Sequence, residues 1–180
     1  MRAKDIAIAG CGPAGLAAAL LLHRDGHRVR LYERFETPRP IGSGLLIQPT
    51  GLAVLERLGL DTALKAHAAC VERLLGKAAG SGATVLDVRY SALGKPLRVG
   101  LGIHRAALFA ILYDAVLAEG IPVHTSCEIT GSELGSNGQR ALVMADGTRE
   151  GPFDLIVDAL GTRTPLAPPT GKVLEYGALW

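Results

Sequence analysis

The sequence predicts an α/β fold, a parallel sheet with helices followed by short antiparallel strands, and three observations support this. An apolar strand pattern at residues 5–9 runs into a glycine-rich turn and then an apolar helix. A second strand pattern, residues 27–33, follows that helix. Two hairpin-turn dipeptides, Asn137-Gly138 and Asp146-Gly147, lie further along the chain. The composition of the 180 residues, 48% hydrophobic and 20% charged, is typical of one globular domain.

The turn after the first strand contains Gly10, Gly12 and Gly15 in the spacing G-x-G-x-x-G. Gly10 permits the tight turn, Gly12 lets the backbone approach a pyrophosphate, and Gly15 lets the helix pack closely on the sheet. Pro13 occupies the first helical position, where a missing N–H costs nothing. This pattern predicts a dinucleotide site at the start of the helix, where unpaired N–H groups and the positive end of the helix dipole face the phosphates.

The second strand ends in Glu33, which follows Gly15 by 18 residues. An acid at this spacing bonds the ribose hydroxyls of adenosine in Rossmann-like folds. The alternative, a solvated strand end, stays open for Glu33 alone. Strand, turn, helix and acid together predict a Rossmann-like nucleotide-binding domain.

Other classes of protein fit less well. The uncharged stretch of residues 6–22 is too short and too rich in glycine for a membrane span, although a signal peptide stays open as an alternative. A net charge of +2 with scattered arginines gives no sign of nucleic-acid binding. Cys11, Cys70 and Cys127 form no disulfide or metal-ligand pattern, so we expect a cytoplasmic protein without a metal site.

A later helix begins at a cation. Apolar residues recur with helical spacing from Leu108 to Ala115, which predicts a helix over residues 105–118 that stops before Gly120 and Pro122. Arg105 then sits at the positive end of the dipole, where a cation costs about 0.3–1 kcal/mol unless an anion is near. A solvated arginine and an arginine on a cofactor phosphate both stay open.

The patterns of the remaining segments predict strands. Residues 127–152 are predicted to form an antiparallel meander around the two turn dipeptides, and residues 154–160 a buried strand parallel to the first two. Residues 68–101 alternate between faces, as strands of a second sheet do.

Several motifs in order resemble the N-terminal portion of FAD-dependent monooxygenases of the aromatic-hydroxylase (para-hydroxybenzoate hydroxylase-like) family. These are "GCGPAGLAAALLL", "LYER", "IGSGLLIQPTGLAVLERLGL", "GIHRAALFAILYDAV", "DLIVDALGTRTPL" and a final "YGALW". The resemblance implies a Rossmann-like FAD-binding domain over residues 1–67 and 102–166, with residues 68–101 as inserted strands of a β-rich substrate domain. Residues 167–180 would begin the sheet of that substrate domain.

The resemblance also implies which residues contact FAD. Gln48 would lie near the isoalloxazine ring and form a hydrogen bond, unless its loop is an ordinary buried one. Ile129 would touch the adenine through its backbone, with apolar packing in the meander as the alternative. The complete set of expected cofactor residues is Gly10, Gly12, Pro13, Ala14, Gly15, Glu33, Arg34, Gly44, Leu45, Gln48, Arg105, Ile129, Asp158 and Gly161.

The implied activity is that of a flavin monooxygenase, in which NAD(P)H reduces FAD and one atom of O2 enters a small, aromatic-like organic substrate. The chemistry belongs to the cofactor, so we expect no side chain to act as a catalytic acid or base. A flavin reductase or halogenase on the same scaffold, and a non-catalytic or split FAD-binding module, are the alternatives. A plain NAD-binding dehydrogenase fits less well, because Pro13-Ala14 and the Arg105 segment match the flavin pattern.

Two departures from the family pattern stand out. Leu160 replaces the Asp of an Asp-Gly pair whose glycine, Gly161, is kept. Asp158 is a conceivable substitute, or else an ordinary hydrogen-bonded strand residue. A second Gly-Asp motif of the family is absent from the sequence. We therefore expect a fragment that associates with a missing C-terminal half or with a second copy.

Overall fold

A computed structural model describes residues 2–39, 42–94, 98–168 and 171 of the chain. The elements in chain order are β1 (Asp5–Ala9), α1 (Pro13–Arg24), β2 (Arg28–Tyr32), β3 (Gly44–Ile47), α2 (Pro49–Arg57), α3 (Asp61–Lys65), β4 (Ala68–Val71), β5 (Arg73–Lys77), β6 (Thr84–Arg89), a 3-10 turn (Tyr90–Leu93), β7 (Gly100–His104), α4 (Arg105–Ala118), β8 (Val123–His124), β9 (Ile129–Leu134), β10 (Arg140–Met144), β11 (Arg149–Phe153) and β12 (Leu155–Asp158). They divide into two compact units, Met1–Pro40 with Leu112–Trp180 and Ile41–Ile111.

The first unit contains a parallel sheet in the order β12-β1-β2-β8. Strand β1 is central, with Ile6 opposite Leu155 on one side and Val29 on the other. Its residues from Ile6 to Ala9 are buried because α1 and the neighbouring strands cover them. The chain passes through α1 to β2 on one side of β1 and returns to β12 on the other. The carboxyl end of β1 is thus a topological switch point, where open α/β sheets bind ligands.

An antiparallel meander in the order β11-β10-β9 completes the first unit. The turn glycines Gly138 and Gly147 both adopt positive φ, 82° and 84°, as the sequence pattern requires. A common core joins the meander to the parallel sheet. Its buried residues are Ala7, Ala9, Tyr32, Ile129, Leu142, Met144 and Phe153.

The second unit contains an antiparallel sheet in the order β3-β7-β4, and a hairpin of β5 and β6. Gly44 pairs with His104, and Ala68 pairs with Ile103 on the other side of β7. Helix α2 follows β3 and starts at Pro49, whose fixed φ suits a first helical position. Strand β6 is exposed on both faces.

The predicted elements are confirmed for β1, α1, β2, the meander and α4, which runs from Arg105 to Ala118. Strand β12 is parallel to β1 as predicted. The prediction that this strand is buried is wrong, because it lies at the edge of the described sheet and Leu155 is 44% exposed. Within the predicted insertion of residues 68–101, β4 pairs with β7, and β7 pairs on its other side with β3, which lies before the insertion. The compact unit is therefore longer than the predicted segment. The assignment of residues 68–101 to a substrate domain stays a prediction. The predicted final strand, "YGALW", lies outside the described residues.

Among the helices of the described ranges, none has the length and apolar character to cross a membrane.

Candidate functional site: the glycine turn and the Arg105 helix

The turn between β1 and α1 requires glycine at two positions. Gly10 has φ of 103° and donates its N–H to the carbonyl of Tyr32 at 2.8 Å. A Cβ at Gly10 would lie 2.7 Å from the carbonyl oxygen of Ala159, and a Cβ at Gly15 would collide with the carbonyl oxygen of Gly10. Side chains at either position would therefore push α1 away from β1 and from the end of β12.

Gly12 differs from these two glycines, because a Cβ added there would meet no atom of the described residues within 4 Å. It is the N-cap of α1, with φ −70° and ψ 170°, and no described side chain caps the helix. Pro13 is the first helical residue, Ala14 is exposed, and the first turn contains no acidic residue. The helix therefore begins with open space and uncapped N–H groups, which fits a phosphate.

Glu33 lies beside this turn and holds it. One carboxylate oxygen, Oε2, accepts the N–H of Cys11 at 3.0 Å, and Oε1 accepts the N–H of Phe35 at 3.2 Å. A carboxylate offers about four lone-pair sites, so both oxygens keep capacity for ribose hydroxyls. The structure thus brings Gly10, Gly12, Gly15 and Glu33 together.

The thiol of Cys11 lies inside this turn and is 2% exposed. Burial, reinforced by the charge of Glu33, raises the pKa of the Cys11 thiol to about 12. A thiol with so high a pKa stays protonated and unreactive at neutral pH. Cys11 is therefore a packing residue of the turn.

Arg105 begins α4 in the second unit. Its backbone N–H donates to the carbonyl of Ser43 at 3.2 Å. Its side-chain Nε is buried and has no hydrogen-bond partner among the described residues. Gly42, at φ 106°, lies against the guanidinium, because a Cβ there would be 3.2 Å from Nε. A buried, unsatisfied donor on a cation is costly, and an anionic ligand would satisfy it.

Gln48 follows β3 in the same unit. Its amide oxygen Oε1 accepts a hydrogen bond from the hydroxyl of Tyr90 at 2.7 Å. Gly44 and Leu45, also expected to contact the cofactor, are half-buried in β3 opposite His104 and Ile103. These residues and Arg105 belong to one compact unit, and their predicted role toward FAD stays a prediction.

Two other residues predicted to contact FAD, Ile129 and Arg34, contact residues of the protein itself. Ile129 is 7% exposed and packs in the common core, the alternative left open for its side chain. Arg34 is exposed, and its guanidinium carbon lies 4.7 Å from the centre of the Phe35 ring, a cation–π distance. Neither contact excludes the predicted contacts with FAD.

Asp158 and Gly161 form the turn after β12. The carboxylate of Asp158 accepts the N–H of Leu160 at 3.1 Å and the hydroxyl of Thr164 at 2.6 Å. Gly161 has φ of 87°, which explains why this glycine is kept. Leu160, in the place of the family's Asp, packs against the common core. Asp158 therefore shapes this turn, and whether it also contacts the cofactor stays a prediction.

Sequence reasoning missed two residues of these arrangements, Gly42 and Tyr90. Gly42 lies in the quoted "IGSG" motif, and a glycine just before a strand was a signal of close backbone approach. Tyr90 carried no comparable signal, since its contact with Gln48 joins positions 42 residues apart.

Comparisons with known proteins identify a family. A family model described as "FAD binding domain" matches residues 3–165. The phenazine 1,6-dicarboxylic acid hydroxylase PhzS of Lysobacter antibioticus is 34% identical over 165 residues, covering 79% of this chain and 40% of that protein. The 3-hydroxybenzoate 6-hydroxylase 1 of Aquipseudomonas alcaligenes is 30% identical, covering 72% of this chain and 34% of that protein. The chain thus spans two fifths or less of these relatives.

Solved structures share the fold. The tetrameric form of 2-methyl-3-hydroxypyridine-5-carboxylic acid oxygenase aligns with a TM-score of 0.74 at 24% identity, covering 93% of this chain and 42% of that one. The structure of CtdE in complex with FAD aligns with a TM-score of 0.70 at 21% identity, covering 91% and 40%. The matched segment covers most of the chain, so this chain belongs to the family described as "FAD binding domain".

Proposed function

We propose that this chain binds FAD and forms the FAD-binding part of a flavin monooxygenase that hydroxylates a small, aromatic-like organic substrate. The observation that carries the proposal is the uncapped start of α1, with open space at Gly12 and with Glu33 beside it. An acid for ribose hydroxyls next to N–H groups for phosphates is the arrangement that dinucleotides require, and the match to the FAD binding domain family favours FAD among them. The identity to hydroxylases over most of the chain gives further support.

In the first unit, the N–H groups of α1 hold the pyrophosphate and Glu33 accepts the ribose hydroxyls. In the second unit, the Nε of Arg105 donates to a phosphate oxygen, which satisfies a buried donor otherwise left without a partner. Gly44, Leu45 and Gln48 lie toward the flavin ring.

FAD, when bound, supplies the redox chemistry, and the protein binds and orients it and excludes water. The proposal includes NAD(P)H as the electron donor and O2 as the second substrate, both taken from the sequence resemblance. It also includes a cytoplasmic location, which the three free cysteines support. Association with a C-terminal half, or with a second copy, belongs to the same proposal.

The test is a titration of the purified chain with FAD, followed by flavin fluorescence and by absorbance after gel filtration. Competition separates the two ends of the cofactor, because ADP carries the adenosine and both phosphates whereas FMN carries the flavin ring and one phosphate. We expect saturable FAD binding that ADP displaces more effectively than FMN. Absence of FAD binding by a folded chain, or displacement by FMN alone, would contradict the proposal.

A further inference from the structure

Tyr90 is the one buried residue of the described stretch 79–94, at 2% exposure. It starts the 3-10 turn that follows β6, and its N–H donates to the carbonyl of Glu72 at 3.0 Å. Every other residue from 79 to 94 is exposed. Burial is thus concentrated on a single aromatic ring, whose hydroxyl then needs a partner.

The space for this ring depends on Gly100 in β7. A Cβ at Gly100 would lie 2.9 Å from both Cε2 and the hydroxyl oxygen of Tyr90, and 3.0 Å from Cδ1 of Leu46. Such distances are shorter than side chains tolerate, so any larger residue would displace the ring. Tyr90 is therefore held in one position by its surroundings.

The hydroxyl of Tyr90 fixes the amide of Gln48. It donates to Oε1 at 2.7 Å, while the backbone carbonyl of Gln48 accepts the N–H of Leu52 at 3.0 Å as α2 begins. The side chain is therefore held at its base and at its oxygen. Its Nε2 has two N–H donors and no partner among the described residues, and Gln48 is exposed.

We propose that Tyr90 is a positioning residue that makes Gln48 a hydrogen-bond donor to the isoalloxazine ring of the bound flavin. With Oε1 occupied by the Tyr90 hydroxyl, the amide presents N–H groups outward, which suit a carbonyl or ring-nitrogen acceptor. Without Tyr90 the amide can rotate by 180° and present oxygen instead, which such acceptors repel. This inference rests on the proposed function, since it needs FAD as the ligand.

A purely structural role is the alternative, in which Gln48 does no more than satisfy the buried hydroxyl of Tyr90. The substitution Gln48→Glu distinguishes the two roles. A carboxylate still accepts the bond from Tyr90 but carries no N–H, so the structural role survives and the donor is lost.

The experiment measures the dissociation constants of FAD and of ADP for the full chain and its variants. We expect Tyr90→Phe to weaken FAD binding about two- to tenfold, the loss expected for one neutral hydrogen bond, and to leave ADP binding unchanged. Gln48→Leu and Gln48→Glu should weaken FAD binding to a similar or larger extent, again without an effect on ADP. Adding Tyr90→Phe to Gln48→Leu should cause no further loss, because the two residues act in series.

Tyr32→Phe is the matched control, since Tyr32 is also a buried tyrosine and its hydroxyl lies 3.4 Å from Glu150 in the first unit. It should leave the ratio of FAD to ADP affinity unchanged, and the visible spectrum of bound flavin should shift with Tyr90→Phe and not with Tyr32→Phe.

Three results would overturn the inference: equal losses of FAD and ADP affinity in Tyr90→Phe, a full additional loss in the double variant, or wild-type FAD affinity in Gln48→Glu. If the wild-type chain binds neither FAD nor ADP, the proposed function fails and this inference fails with it. If FAD binds and one of the three results is found, the proposed function stands and the role of Tyr90 does not.

Discussion

The helices α1 and α4 begin in opposite ways. At α1 the first turn is neutral, Gly12 leaves open space, and no described side chain caps the helix. At α4 the first residue is Arg105, a cation at the positive end of the dipole, with a buried Nε that has no partner among the described residues. Each arrangement belongs to its own compact unit.

Under the proposed function, the difference illustrates two ways in which a chain prepares for an anion. The start of α1 uses backbone N–H groups and shape, so its free state is not strained by charge. The start of α4 places a cation where the helix dipole disfavours it, at about 0.3–1 kcal/mol, and leaves a donor unsatisfied. The first arrangement is compatible with an empty site, whereas the second becomes favourable when an anion binds.

We expect the largest effect at Gly15, because the open start of α1 described above requires this residue to pack closely against the turn at Gly10. Gly15→Ala places a Cβ against the carbonyl oxygen of Gly10, so the free energy of unfolding should fall by about 3 kcal/mol or more. Urea denaturation followed by circular dichroism measures this. Gly131→Ala is the control, because a Cβ there meets no described atom within 4 Å and should leave stability unchanged or slightly higher. Equal stability of Gly15→Ala and wild type would refute the packing argument.

Arg105→Ala should lower the affinity for FAD without lowering the stability of the free chain. Losing a charged hydrogen-bond donor to phosphate should weaken FAD binding by about 1.5–3 kcal/mol, roughly 10- to 100-fold. The free chain should become no less stable, since an unfavourable cation leaves the helix start. Arg105→Lys keeps the charge without Nε and should give an intermediate affinity. A parallel fall in affinity and stability would show that Arg105 is a structural residue.

Glu33→Gln tests the carboxylate that holds the glycine turn. A neutral amide has one acceptor oxygen for the N–H groups of Cys11 and Phe35, so stability should fall by about 1–2 kcal/mol. ADP affinity should fall as well, because the ribose loses an acceptor. Glu36→Gln, an exposed neighbour, is the control and should change neither quantity. If both substitutions behave alike, Glu33 is an ordinary solvated strand end.

The smallest effect is expected at Gly42, beside Arg105. Gly42→Ala puts a side chain at φ of 106° and 3.2 Å from Nε, in an exposed loop that can relax, so we expect a loss of about 1 kcal/mol in stability. Gly44→Ala is the control, since its added Cβ would lie at an ordinary 3.4 Å from the carbonyl oxygen of Ile103. If the free energy of unfolding of Gly42→Ala equals that of the wild type, Gly42 does not constrain the side chain of Arg105.

Much of the fold could be predicted from sequence because its signals are local. The glycine turn, the apolar period of α4 and the two turn dipeptides each specify backbone geometry within a few residues. Long-range pairing could not be predicted, and β3 joins β7 across more than fifty positions. The boundary of the second compact unit follows from that pairing.

The candidate site was predictable to the same extent. Gly10, Gly15 and Gly161 have the positive φ or close contacts that make glycine necessary. The bond from Tyr90 to Gln48 and the bonds that Asp158 accepts from its turn depend on tertiary geometry, which leaves no pattern in the sequence. A side chain's residue type shows what it can bind, and its neighbours decide what it does bind.

The most direct test of FAD binding at the glycine turn is the FAD affinity of Gly12→Val beside Gly80→Val. Both positions have negative φ or extended backbone and no described atom within 4 Å of an added Cβ, so neither Cβ creates a clash and both variants should fold. If the open space at Gly12 receives the pyrophosphate, Gly12→Val abolishes FAD binding and Gly80→Val retains it. Full FAD affinity in a folded Gly12→Val variant would contradict the account.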